Sequence, residues 1–125
     1  MANPNLVNVT TIKGKIEGHK LTTDAISDSG SAVITCGTDK LLKINSIIVA
    51  NIDGTNSVNI DVAVSLDSDA RFYLAKTVAL PADSTLVVIG KDSPIYLEEG
   101  DQLEARADAA SDADLVVSYE ILDDA

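Results

Sequence analysis

The sequence predicts an all-β fold, an antiparallel β-sandwich or barrel of about eight to ten short strands, with a jelly-roll-like sandwich preferred. Three observations predict it. First, apolar residues alternate with period two, at Val58, Ile60, Val62, Val64 and Leu66, at Leu103, Ala105, Ala107 and Ala109, and at Leu115, Val117, Tyr119 and Ile121. Second, turn-forming clusters interrupt the chain every 8 to 14 residues or roughly so, and no window sustains a confident helical period. Third, hydrophobic residues make up 46% of the chain but aromatics only 3%. The core must therefore be built from Val, Ile, Leu and Ala, the first two of which suit a pleated surface.

Taken in order, residues 1–5 form an arm and residues 6–16 (LVNVTTIKGKI) a strand. Its apolar phase shifts by one residue, as at a bulge or a change of sheet. Residues 20–26 are a weak strand, Ser27-Asp28-Ser29-Gly30 a turn, and residues 31–36 a short strand stopped by Gly37-Thr38-Asp39. The longest apolar run, residues 40–52, has enough Ile and Val to read as a central strand rather than a helix. Asp53-Gly54-Thr55-Asn56 then predicts a hairpin turn into residues 58–66, where one face is core and the other wet. Asp67-Ser68-Asp69 is the next turn, and residues 71–80 are a strand with Phe72, Leu74, Lys76 and Val78 on one side. Pro81-Ala82-Asp83-Ser84 precedes a short strand at 85–89. An edge piece at 94–97 tolerates the donor missing from Pro94, and Glu98-Glu99-Gly100-Asp101 is a tight turn in which Gly100 supplies positive φ. Residues 103–121 predict a closing hairpin, and 123–125 an acidic tail. The whole of 6–122 reads as one domain.

The net charge of −11 is unevenly spread: residues 92–125 hold eleven acids and one base, Arg106, whereas residues 1–43 hold five Lys and four acids. Clustered cations, which phosphates and anionic lipids require, are missing, so neither nucleic acid nor a membrane surface is an expected partner. The acidic half reads as a solvated face, with docking onto a basic partner or onto the Lys-bearing half of another copy as the alternative. Cys36 is the sole cysteine, which precludes an internal disulfide; its setting is that of a small buried hydrophobe in a reducing compartment. No signal region or membrane-spanning apolar stretch stands out.

No catalytic, cofactor or metal site is expected. His19 is the single histidine, leaving neither an ordinary zinc ligand set nor a triad base with a partner. Glu98 and Glu99 are adjacent, so on a strand they point to opposite faces. Asp67 with Asp69, Asp112 with Asp114 and Asp123 with Asp124 offer oxygens, but none has the spacing of an EF-hand loop. Gly14 and Gly18 lack the spacing of a phosphate loop. Lys13, Lys15 and Lys20 instead read as guards that keep stray strands off a sheet edge.

Residues 78–122 carry three local patterns: Pro81-Ala82-Asp83-Ser84-Thr85 before an apolar strand, Pro94-Ile95-Tyr96-Leu97-Glu98-Glu99-Gly100-Asp101, and Val116-Val117-Ser118-Tyr119-Glu120 at the close. In this pattern the stretch resembles small β-sandwich virion proteins of tailed bacteriophages. The resemblance implies a non-enzymatic structural protein of the virion, assembled in the host cytoplasm. The first expectation is a capsid decoration (cement) protein that binds the major capsid lattice, itself as a homo-oligomer, or both. A neck, tail or fibre-attachment module is the alternative, as is a carbohydrate-binding sandwich using Phe72, Tyr73, Tyr96 and Tyr119. The arm Met1, Ala2, Asn3, Pro4 and Asn5, which has no strand or helix pattern of its own, is the expected contact with a neighbouring subunit.

Overall fold

The computed structural model describes residues 6, 7, 9–27, 29–66 and 70–123. Within them lie nine strands and one 3-10 turn at Ser29–Ser31, with no α-helix. The strands are β1 (Thr11–Lys20), β2 (Ala32–Thr35), β3 (Lys40–Asn51), β4 (Val58–Leu66), β5 (Ala70–Leu80), β6 (Thr85–Ile89), β7 (Ile95–Leu97), β8 (Gln102–Ala107) and β9 (Ala113–Asp123). They form two antiparallel sheets. Sheet A runs β1-β9-β3-β6, with β7 also paired to β3, and sheet B runs β2-β8-β4-β5. The chain changes sheet between β1 and β2, at each of the next two connections, and again after β5, β7 and β8. This is jelly-roll connectivity, so the expected sandwich is the observed fold.

Two expected hairpins are corrected. The Asp53-Gly54 turn carries the chain from β3 in sheet A to β4 in sheet B, and the closing pair β8 and β9 likewise belongs to opposite sheets. Both pairs have one strongly apolar face each. Such strands satisfy that face by packing across the sandwich, and their edges then pair with strands distant in sequence. The inward faces agree with the expectation: Val58, Ile60, Val62 and Val64 share one buried cluster with Leu115, Val117 and Tyr119.

The first strand is also corrected. Residues 6 and 7 lie in a turn, and β1 starts at Thr11 and runs unbroken against β9 to Lys20, with no bulge or sheet change and no strand at 21–26. Leu21 is instead a buried plug whose amide donates to the Ala113 carbonyl at 2.9 Å. Asp123, expected in the acidic tail, is the last residue of β9 and is paired with Thr11 and Lys40, and residues 124 and 125 lie outside the described residues.

In β3 the core residues step from Leu42 and Ile44 to Ile47 and Val49, because Asn45 is an extra residue against β9. The bulge keeps a long apolar run facing inward on both sides of it. β4 departs from expectation on its outer side: Asp61, Ala63 and Ser65 are buried, not wet. β4 is central, and the long side chains of Arg71, Tyr73, Gln102, Glu104 and Arg106 stand on the strands beside it. Arg71 Nε donates to Glu104 Oε1 at 3.0 Å, and Arg106 Nη1 to Asp61 Oδ2 at 3.2 Å. The other Asp61 oxygen accepts the amide of Thr77, which sits at positive φ (51°) where β5 bulges out of register and loses its expected alternation.

Candidate protein interaction surface

Residues singled out in the sequence fall mostly into structural roles. Glu98 and Glu99 do not converge. Glu99 accepts the Asp39 amide at 2.7 Å, while Asp101 caps the Glu98 amide at 2.9 Å around Gly100, whose φ of 87° meets the expectation for that turn. Cys36 is buried, with Sγ donating to the Lys40 carbonyl, and burial pushes its thiol up to about 11. Asp114 is paired with Lys20 at 2.8 Å. Among the described residues, no three His, Cys, Asp or Glu side chains converge where they could hold a metal ion. The pair Asp67 and Asp69, together with Asp124, lies outside the described residues, as does the expected contact arm Met1, Ala2, Asn3, Pro4 and Asn5.

The four aromatic rings do not combine into a sugar platform. Tyr119 is in the core, where its hydroxyl donates to Glu17 Oε2. Phe72 pairs with inward-facing Val64, Tyr73 pairs with outward-facing Ala63 on sheet B, and Tyr96 pairs with Lys43 on the outer side of sheet A. The three exposed rings therefore point to different sides of the molecule.

What the fold does bring together lies on sheet A. Its outer face carries a row of apolar side chains in register, Val116 on β9, Ile48 on β3 and Val87 on β6, with Gly18 of β1 completing it. Ile16 flanks the row, and a second row joins Ile12, Leu122 and Leu41. Ile16 is 69% exposed, Ile12 62% and Val87 60%, a degree of exposure that large aliphatic side chains take up at a cost. Between the rows run Glu120, Lys43 and Tyr96, and the bulged Asn45 donates to Glu120 at 3.3 Å.

Among the described residues β1 forms an edge of this sheet, and most of its residues are exposed. Odd-numbered residues share the side of Tyr119 and Val117, yet they are Thr11, Lys13, Lys15, Glu17 and His19; the strand overhangs the core. Here Glu17 gathers three partners. Tyr119 donates its hydroxyl, His19 Nε2 lies 3.1 Å from Oε1, and Lys15 Nζ lies 3.6 Å from Oε2. The Tyr119 bond is the main reason the Glu17 carboxyl is held below its ordinary range, with His19 and Lys15 adding to it against some desolvation. Burial, then the bond to Glu17, raises the Tyr119 phenol. The even-numbered side contains Gly14 and Gly18. A Cβ at Gly14 would meet nothing within 4 Å, at Gly18 only a carbonyl at 4.0 Å, and neither has positive φ. No contact among the described residues requires these glycines, although glycine weakens a strand by about 0.5–1 kcal/mol.

The sequence pointed to the edge through its lysines. The apolar row escaped it, because Val116, Ile48 and Val87 become neighbours only through strand order. A comparison with protein-family models and one with curated proteins found no match to this chain.

Proposed function

We propose that this chain is a non-enzymatic structural subunit of a tailed-phage particle, a capsid decoration protein that binds the capsid lattice, itself, or both. The observation that carries the reading is the outer face of sheet A. Exposed Ile12, Ile16, Val87 and Val116 lie on one sheet face, beside Gly14 and Gly18, which no contact among the described residues requires. Such a surface suits another protein laid over it, and a glycine inside a strand commonly marks the close approach of a second backbone. The small number of aromatic anchors is consistent with binding spread over area. The late sequence patterns supply the phage context, and with it a place in the virion.

Binding to particles tests the reading. Purified heads and tails lacking this chain are mixed with it and pelleted, and the bound copies are counted. Saturation at on the order of hundreds of copies per head supports decoration, whereas about a dozen or fewer, on a symmetric ring, assigns the chain to the neck or tail. Ile16→Asp and Val87→Asp, both on exposed positions, should weaken binding while leaving the melting temperature near that of the parent. Failure to bind either particle overturns the proposal.

A further inference from the structure

We infer that two copies of this chain associate edge to edge through β1, in an antiparallel register centred on Ile16, so that two sheets A become one continuous sheet. The inference begins with the backbone. Leu21 donates its amide to Ala113, one position beyond the pair Lys20 and Asp114, which puts odd-numbered residues of β1 in hydrogen-bonded pairs with β9. The amides and carbonyls of Ile12, Gly14, Ile16, Gly18 and Lys20 then point away from β9. Among the described residues no strand pairs with that edge. An edge of ten residues, long by the standard of short protected edges, is a template for another strand.

Charge selects both the occupant and the register. When β1 meets a second β1 about a twofold axis through Ile16, Lys15 of each copy stands directly opposite Glu17 of the other, and Gly14 opposite Gly18. Each Lys15 already lies 3.6 Å from Glu17 of its own chain, so the two pairs form a ring of alternating charge. Opposite charges across a strand pair are stabilising and like charges destabilising. A twofold on Gly14 would oppose Lys13 to Lys15, on Lys15 would oppose two lysines, and on Glu17 would oppose two carboxylates. Centring on Gly18 keeps only residues 16–20 in the ladder. The lysines therefore repel unrelated strands and misregistered copies, while Glu17 admits one arrangement. On the even-numbered side, the two exposed Ile16 side chains meet each other beside Val116.

The pairing is independent of the phage reading and is tested in solution with no particle present. Two strands bury little area, so self-association is expected at about 100 µM, not at nanomolar concentration. Light scattering or sedimentation of the full chain should show the mass rising from 13.1 kDa toward twice that value with concentration. Lys15→Glu alone and Glu17→Lys alone should each stay at monomer mass, because each places like charges opposite. An equimolar mixture of the two restores both complementary pairs and should recover the dimer. Because Glu17→Lys also removes the acceptor for Tyr119, a covalent test stands beside it. Oxidised Ile16→Cys should cross-link into dimers, and Lys15→Cys, which reports the alternative register, should not. A parent chain that remains monomeric at about 1 mM, well above the range expected for so small an interface, overturns the inference. So do single charge variants that dimerise like the parent, a mixture that stays monomeric, or preferential cross-linking through Lys15→Cys.

Discussion

Asn51→Ala should destabilise this protein by several times the cost of an ordinary surface substitution, although Asn51 takes no part in a proposed surface. The residue closes β3 and is 2% exposed. Its Nδ2 donates to the Leu80 carbonyl at 2.9 Å and to the Asn56 carbonyl at 3.0 Å, and its Oδ1 accepts the Asp53 amide at 2.9 Å. Two carbonyls on one side and an amide on the other fix which way the side-chain amide points. One side chain thus ties the end of β3, the crossover to β4 and the end of β5, where the two sheets meet. Truncation removes these bonds. The Asn56 and Asp53 groups, near solvent, lose about 1 kcal/mol each, while the buried Leu80 carbonyl is left without that donor at about 1–2 kcal/mol, giving about 3–4 kcal/mol in all. With an unfolding entropy of about 2.1 cal/mol/K per residue, a chain of this length loses roughly 4 °C per kcal/mol, so Tm should fall by about 12–15 °C. Calorimetry and urea titration at unchanged m-value check the figure. Asn51→Asp supplies an internal control: it keeps the acceptor for Asp53 but sets an oxygen against two carbonyls, and should be no more stable than the alanine variant. A loss under about 1 kcal/mol for Asn51→Ala, or a parent-like Asn51→Asp, would refute the assignment of Asn51 as the tie between the sheets.

Val62→Asp places an unpaired charge at a site with 0% exposure and should abolish cooperative folding, seen as loss of the thermal transition by circular dichroism. Cys36, its thiol pushed up to about 11 by burial, should react with an aromatic disulfide reagent at pH 8 at least about 100-fold more slowly in native buffer than in denaturant. Tyr119→Phe should cost about 1–2 kcal/mol at pH 7 by removing a donor to a carboxylate. Glu17 is depressed in the folded state relative to its ordinary 4.5, so the unfolded chain takes up the proton first as pH falls. The parent's advantage over Tyr119→Phe is therefore fully present above that value and shrinks as pH drops through and below it, which urea titrations from pH 7 to pH 3 will read.

How much of this was legible depends on which physical quantity the sequence encodes. Alternation states which side chains of one strand share a face, so Val58 to Leu66 and Leu115 to Tyr119 were assigned to the core correctly. Alternation does not state which sheet a strand joins, and the Asp53-Gly54 turn, whose local chemistry fits a hairpin, serves a crossover because Asn51 holds its amides and carbonyls from inside. Bulges were equally hidden. Asn45 and Thr77 leave register only because a neighbouring strand, or the carboxylate of Asp61, supplies the compensating partner. The same holds for Glu104, which at 1% exposure looked from sequence like one more solvated acid. Its guanidinium partner Arg71 comes from another strand through the β4 register. At the edge the lysine guard was readable from residue type alone, whereas the apolar row beside it needed the strand order of sheet A.

The two outer faces of the sandwich present different costs to any partner. On sheet B, covering the surface would confine Arg71 with Glu104 and Arg106 with Asp61, side chains already committed to one another. A protein docking there has no free pairing to offer those groups and must still remove water from their exposed ends. On sheet A, the corresponding positions are Ile12, Ile16, Ile48, Val87 and Val116, whose removal from water is favourable at about 25 cal/mol per Å² and demands no matching donor or acceptor. The polar groups of this face, Glu120, Lys43 and Tyr96 in the middle and the Lys20–Asp114 pair at one end, lie where their contacts fix orientation rather than drive binding. Edge pairing of two copies through β1 would double this face without covering it. A dimer of that kind would offer a partner lattice two apolar faces related by a twofold axis, so that each weak contact on a face gains from its neighbour through effective concentration.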